Sequence, residues 1–281
     1  RHSRYTRKAQ RKNSRKKIKE TKKKKKRNGI ILTMTIGIID SGLGGYSIYH
    51  ALHKAYPKAA FHFLADQKNA PYGNKTADEI KSIAHKNIAW FKANGITEIV
   101  IACNTMNAVA LDSLKQSYPD VLFHDVVRPT VKQLDSLNLK SICVVATKLT
   151  IQSDIYARTI QSLYPNTEVS SVALPELVRL IEGLSTQKEM QDYIQSCLTE
   201  TQLTRDGLIL GCTHYPLAQD AFESVFHQRI IDSIAVMVNL FNNQKLVEGE
   251  SICYTTKDAH FAEHQVEELF HSKESFIKIE V

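Results

Sequence analysis

Two cysteines stand at matching corners of this chain. Cys103 ends the apolar run of "IACNT", Ile101 to Thr105, and Cys212 ends that of "LGCTH", Leu210 to His214. Each is followed within two positions by a threonine. A cysteine between a buried strand and a helix has its thiolate favoured by the helix dipole and by unpaired backbone donors. Free cysteine is otherwise often just a small buried hydrophobe, which suffices for Cys143, Cys197 and Cys253. Two in equivalent positions suggest acid/base work. One thiolate can remove a proton from a carbon while the other thiol returns one to the opposite face, the arrangement that inverting a stereocentre requires. His214, two residues beyond Cys212, is the histidine best placed to assist. His50, His53, His62 and His85 fall on helical or strand patterns where a surface or satisfied-core role is enough.

Two other chemistries fit less well. Zinc on Cys103, Cys212 and His214 lacks the usual ligand spacing, and no CxxC occurs. In "DSGLGG" (40 to 45), Gly42 and Gly44 are spaced as in a dinucleotide fingerprint, and Asp66 ends a later strand like a ribose-binding acid. Ser47 replaces the third glycine, however, and Asp40 would repel a pyrophosphate. A tight turn whose N–H groups face a carboxylate fits the stretch as well. No metal, nucleotide or other cofactor is expected.

These corners need elements to hold them. Short β-branched runs recur, each followed by a polar or glycine-rich corner and in most cases a helical pattern: "MTIGIID", "AAFHFLAD", "TEIVIAC", "KSICVVAT" and "DGLILGC". Near-continuous apolar strands alternating with helices imply parallel sheets covered on both faces. The helix after Asp40 should turn Ile48, Leu52 and Ala55 to the sheet; the one after Asn104 should turn Val109, Leu111 and Leu114. A third helix should follow Cys212 through "THYPLAQDAFESVF". In such sheets ligands bind beyond the carboxyl ends of the strands, which are Asp40-Ser41, Cys103-Asn104-Thr105 and Cys212-Thr213-His214. The order also repeats, with 63 positions from Asp40 to Cys103 and 65 from Thr147 to Cys212. The expected fold is α/β with two pseudo-symmetric lobes, each a mainly parallel sheet flanked by helices. The first lobe takes residues 34–126 plus 236–281 and the second 127–235.

Charge must be read without the first 28 residues, which hold 16 Lys and Arg and the single acid Glu20. The totals of 37 basic and 29 acidic residues then become 21 and 28, so the remainder is net −7 rather than +8. Residues 1–33 form a basic tail with little to bury, expected to be disordered. The tail reads as fused upstream sequence, a targeting segment or an arm for anionic surfaces, with nucleic-acid contact as the weaker possibility. A signal peptide is disfavoured because Asp40 follows the apolar run at once without a small-residue cleavage pattern. No run reaches the ~18 apolar residues of a membrane span, so a cytoplasmic protein is expected. Five dispersed cysteines, an odd number, argue against a disulfide framework.

At these residues the chain closely resembles the cofactor-independent glutamate racemases of the aspartate/glutamate racemase superfamily. The matching stretches are "IGIIDSGLGG" (36 to 45), "APYGNKT" (70 to 76), "VIACNTMNAVALD" (100 to 112), "ATKLTIQSDIY" (146 to 156), "LPELVRLIEG" (174 to 183), "LILGCTHYPL" (208 to 217) and "IIDSIA" (230 to 235). The resemblance implies an active site between two lobes, with Cys103 and Cys212 as the acid/base pair and Asp40, Glu182 and His214 in support. It implies that Asp40, Ser41, Tyr72, Gly73, Asn104, Thr105, Thr213 and His214 hold the amino acid. Physical chemistry agrees: two carboxylates need donors, which Ser41, Asn104, Thr105, Thr213 and backbone N–H groups supply, and Asp40 can meet the ammonium. "CTHYP" favours glutamate over aspartate, whose racemases tend to carry an acid after the second Cys-Thr. Arg128 in "VVRPTV" and Leu174 before Pro175 depart from the family pattern.

The reaction that the resemblance implies is L-/D-glutamate interconversion feeding peptidoglycan synthesis, carried out by a homodimer. Aspartate or another amino acid is the alternative substrate, and a nucleic-acid docking module is the non-enzymatic alternative.

Overall fold

The β-branched runs become the strands of two sheets in the computed structural model, which describes residues 35–281. The expectation for the basic tail, residues 1–33, lies outside the described residues. One sheet contains β1 (Ile36–Asp40), β2 (Phe61–Ala65), β3 (Glu98–Ile101), β4 (Leu122–Asp125), β9 (Ile252–Thr255) and β10 (Phe276–Lys278), in the order β10-β9-β2-β1-β3-β4. The other contains β5 (Ser141–Ala146), β6 (Glu168–Ala173), β7 (Gly207–Gly211) and β8 (Arg229–Ile231), in the order β6-β5-β7-β8. All pairings between these strands are parallel.

The internal repeat is written in that strand order. The run β2-β1-β3-β4 of the first sheet recurs as β6-β5-β7-β8 in the second, so β5 stands for β1 and β7 for β3. The central strands β1, β3 and β7 are buried along their whole length, because helices cover both faces of each sheet. Edge strands are wetter, and their apolar signal is weaker: "EVSSVA" of β6 has no fully buried residue.

The helix Tyr46–Ala55 buries Ile48 and Leu52 as expected, but Ala55 is exposed and Tyr46 and Tyr49 fill its place. The helix Asn104–Ser117 buries Met106, Ala110, Leu111 and Leu114, leaving Val109 half-buried. The helix expected after Cys212 does not form as one element. A 3-10 turn Tyr215–Ala218, with Pro216 in its first turn, is followed only by the short helix Gln219–Glu223.

In both sheets the strand order reverses direction between the two central strands, and a crevice opens there at their carboxyl ends. Asp40 ends β1 and Cys103 follows β3; Thr147 and Cys212 follow β5 and β7.

Candidate active site

The two sets of strand ends line one cavity of about 510 Å³. Ser41, Cys103 and Asn104 come to its wall from the first sheet, and Thr147, Cys212 and Thr213 from the second. Cys103 and Cys212 are both buried, 3% and 6% exposed, so each thiol is shielded except where the cavity reaches it.

Cys103 caps the helix Asn104–Ser117: its sulfur accepts from the Met106 N–H at 3.4 Å, and its thiol can donate to Ser41 Oγ at 3.6 Å. The helix terminus alone would lower its pKa. Burial and the neighbouring Asp40 charge outweigh these donors and push it up to about 12. The expectation of a readily formed thiolate is therefore corrected for Cys103 in the cavity without substrate.

Cys212 has no long helix behind it, so the expected dipole is replaced by His214. The imidazole Nδ1 lies 4.0 Å from Cys212 Sγ, and Nε2 lies 2.9 Å from Glu182 Oε1. Burial alone would lower the His214 pKa, but its bonds to Cys212 and Glu182 raise it well above the usual histidine value. Glu182 responds in kind: burial would raise its pKa, and the hydrogen bond and charge of His214, with Lys257 beyond, lower it.

Asp40 is completely buried and sits behind the wall. Its Oδ2 accepts from the Gly42 N–H at 3.1 Å and its Oδ1 from Thr213 Oγ1 at 3.2 Å, tying the two halves together. Burial raises its pKa, against the charge of His214 and these donors.

The remaining polar residues supply donors. Asn104, which lines the cavity, accepts at Oδ1 from the Tyr156 hydroxyl at 2.6 Å, and its Nδ2 is buried and without a partner. An unpaired buried amide is costly unless a ligand completes it. Thr105 Oγ1 lies 2.9 Å from Thr147 Oγ1 and 3.2 Å from Thr150 Oγ1, a hydroxyl triangle closed by a 2.9 Å contact between Thr147 and Thr150. Among the described residues no cluster of three His, Cys, Asp or Glu is arranged to hold a metal ion.

Comparison with known proteins bears on the family and the fold. Residues 36–241 match the Asp/Glu/hydantoin racemase family. The chain belongs to that family. A glutamate racemase from Streptococcus agalactiae serotype Ia is 32% identical over 235 residues, covering 79% of this chain and 89% of its own. A glutamate racemase from Francisella tularensis solved in complex with D-glutamate superposes with a TM-score of 0.77 at 26% identity, covering 89% of this chain and 98% of that one. The glutamate racemase isoform RacE1 of Bacillus anthracis shares the fold, with a TM-score of 0.81 at 24% identity over 88% of this chain and 98% of that one. This chain is thus an isomerase of the racemase type.

The glycines of this racemase's "DSGLGG" turn serve the meeting of the halves rather than a phosphate. A Cβ on Gly44 would fall 2.5 Å from both His214 Nδ1 and Thr213 Oγ1. Gly73 makes a looser approach of the same kind: its Cβ would lie 3.1 Å from Thr147 Cβ, a contact relieved by a shift of a few tenths of an ångström. Asp66, the ribose candidate of the nucleotide reading, is fully buried among side-chain donors. Tyr72 lines the cavity beside Gly73, but its hydroxyl points away and donates to Asp66 at 2.6 Å.

Other residues of the racemase were not singled out as site residues from sequence. Thr147, Thr150 and Tyr156 were within matched stretches, and Thr147 occupies the strand-end position where ligands bind. Lys148, Lys257 and Gln265 also line the cavity, with no motif to mark them. Arg128 is exposed and off the cavity wall, its N–H bound to Asp125 Oδ1 at 2.8 Å; Leu174 is buried, its carbonyl accepting from the Tyr215 hydroxyl at 2.9 Å. All five cysteines are free. No described helix is long and apolar enough to cross a membrane.

Proposed function

We propose that this chain interconverts L- and D-glutamate, with Cys103 and Cys212 as the two acid/base groups. The observation that carries the reading is the pair of thiols delivered to one cavity from equivalent strand ends of two sheets. Relatives named as glutamate racemases support the choice of substrate. So does His214 directly after Cys212-Thr213, where aspartate-specific relatives tend to carry an acid.

One sulfur, as thiolate, takes the α-hydrogen as a proton, and the electron pair of the broken C–H bond is left on the α-carbon and delocalised into its carboxylate. The other sulfur, as thiol, gives its proton to the opposite face. The products are the mirror-image amino acid and a pair of sulfurs with their protonation exchanged. Cys212 is served by a protonated His214, whose Nδ1–H meets negative charge on that sulfur. Cys103 must be lowered from its high resting pKa, and an arriving ammonium supplies the needed positive charge. Ser41, Asn104, Thr105 and Thr213, with the backbone at Tyr72 and Gly73, hold the carboxylates. Donors fixed in place before the reaction stabilise the charge that develops.

Asp40 acts from behind the wall, setting the charge around Cys103 and the ammonium. The lobes divide at 126/127 and 235/236 in this reading, the product feeds peptidoglycan synthesis in the cytoplasm, and the protein works as a homodimer. The test is α-proton exchange and racemisation of glutamate in deuterated water by the Cys103→Ser and Cys212→Ser variants, without added cofactor. Each should lose racemisation by about 10²- to 10⁴-fold. Near wild-type racemisation in both directions by both variants would end the two-thiol reading, and activity on aspartate alone would replace the substrate.

A further inference from the structure

One buried carboxylate outside the cavity gathers three segments of protein around it. Asp66, just past β2, is 0% exposed and does not line the cavity. Its Oδ2 accepts from the Tyr72 hydroxyl at 2.6 Å and from Asn87 Nδ2 at 3.2 Å, and its Oδ1 from Thr256 Oγ1 at 2.8 Å. Asn69 Nδ2 lies 3.0 Å from both oxygens. The donors come from distant places in the chain. Asn69 and Tyr72 belong to the loop and turn whose residues Tyr72, Gly73 and Asn74 form one cavity wall. Asn87 belongs to the helix Ala77–Ala93, and Thr256 follows β9 and precedes Lys257 on another part of the wall.

A carboxylate is the group that suits this position. It offers only acceptors, about four lone-pair sites over two oxygens, and every neighbour named above donates. Hydrogen bonds to an ionised acceptor are also the stronger kind. Thr256 Oγ1 in turn accepts the Lys68 N–H at 3.0 Å, so the loop after β2 is held to the segment after β9 on both sides of the carboxylate. The backbone N–H of Asp66 itself donates to the Asp40 carbonyl at 2.9 Å, and that bond does not depend on the side chain.

We propose that Asp66 is a positioning residue for substrate binding, which fixes the Tyr72–Asn74 wall and the Thr256–Lys257 wall at the spacing glutamate requires. It rests on the glutamate reading above. Asp66 acts through Tyr72 and Thr256 and touches neither thiol: Cys103 is held by Met106 and Ser41, and Cys212 faces His214. Loss of the carboxylate should therefore appear in KM and leave the proton transfers of the saturated enzyme intact.

The experiment compares steady-state racemisation of L- and D-glutamate by the wild type and Asp66→Asn. Asparagine keeps the size but turns one acceptor into a donor that faces donors. KM should rise about tenfold or more in both directions, with kcat within about threefold. Hydrogen exchange should quicken at residues 69–74 and 255–258 and stay unchanged in β1 and β3. A residue that served stability alone would leave native folded molecules, giving a lower apparent kcat at wild-type KM. That result, or an unchanged KM and kcat, overturns the proposal. Should Asp66→Asn not fold, Tyr72→Phe and Thr256→Val each remove one donor; a severalfold rise in KM in either supports the proposal, and unchanged KM in both overturns it. A wild type inactive on glutamate refutes the functional reading itself, a separate outcome from a KM indifferent to Asp66.

Discussion

His214 Nε2 lies 2.9 Å from Glu182 Oε1, and the opposite nitrogen of the same ring faces Cys212. This places a charged pair behind one thiol, while the other, Cys103, has a helix start, a serine and the opposing charge of Asp40. The two halves repeat each other in strand order but not in how they support their sulfur.

Glu182→Gln keeps the shape and removes the charge that helps to hold His214 protonated. Racemisation at neutral pH should fall by about 10²-fold, and the fall should be partly recovered at lower pH, where the ring regains its proton without help. Polarimetric rates across a pH series read both effects. Unchanged rates at all pH values would remove Glu182 from the acid/base apparatus.

The same pair should shape stability against pH. The folded His214 pKa is raised above 6.5, so its contribution is complete below about 6.5 and is lost as pH rises through the folded value. The folded Glu182 pKa is lowered below 4.5, so its contribution is present above about 4.5 and is lost as pH falls through the folded value. The gap in Tm between the wild type and Glu182→Gln should thus be widest between those limits and narrow on either side. A gap that is constant with pH would mean that the pair's charges do not govern it.

Asp40→Asn should lower the pH at which Cys103 works. Burial and the Asp40 charge push that thiol up to about 12, and the substitution removes the charge while Asn can still accept from the Gly42 N–H. The alkaline-shifted limb of kcat/KM in the direction that starts from the Cys103 thiolate should move to lower pH. A limb that stays in place would assign it to another group.

Gly44→Ala should be the harsher of two glycine substitutions. Its methyl would lie 2.5 Å from His214 and Thr213, whereas that of Gly73→Ala would meet Thr147 at 3.1 Å. Forcing such overpacking typically costs about 1–3 kcal/mol. Denaturant unfolding should show the larger loss for Gly44→Ala, together with the larger loss of activity. The reverse ranking would mean that the Thr147 side is the more rigid.

Much of the site was legible because it lies at the ends of central strands. β1, β3, β5 and β7 each carry a near-continuous apolar run, so their carboxyl ends, and with them Asp40, Cys103, Thr147 and Cys212, can be read from hydrophobic runs alone. The edge strands β4, β6 and β8 are harder to read, since one side faces water and breaks the run. Glu182 and Tyr72 carry no local signal of chemistry and were reached through the family resemblance.

The amino-acid sequence by itself determined the duplicated α/β pattern and the two cysteine corners, because apolar runs and their punctuation are local properties of the chain. Only the tertiary structure decided the surroundings of those cysteines. It buried Cys103 beside Asp40, replaced the helix behind Cys212 with the His214–Glu182 pair, and turned the Tyr72 hydroxyl onto Asp66. Acidity depends on burial and on charges that come from distant segments, and those neighbours exist only once the chain has folded.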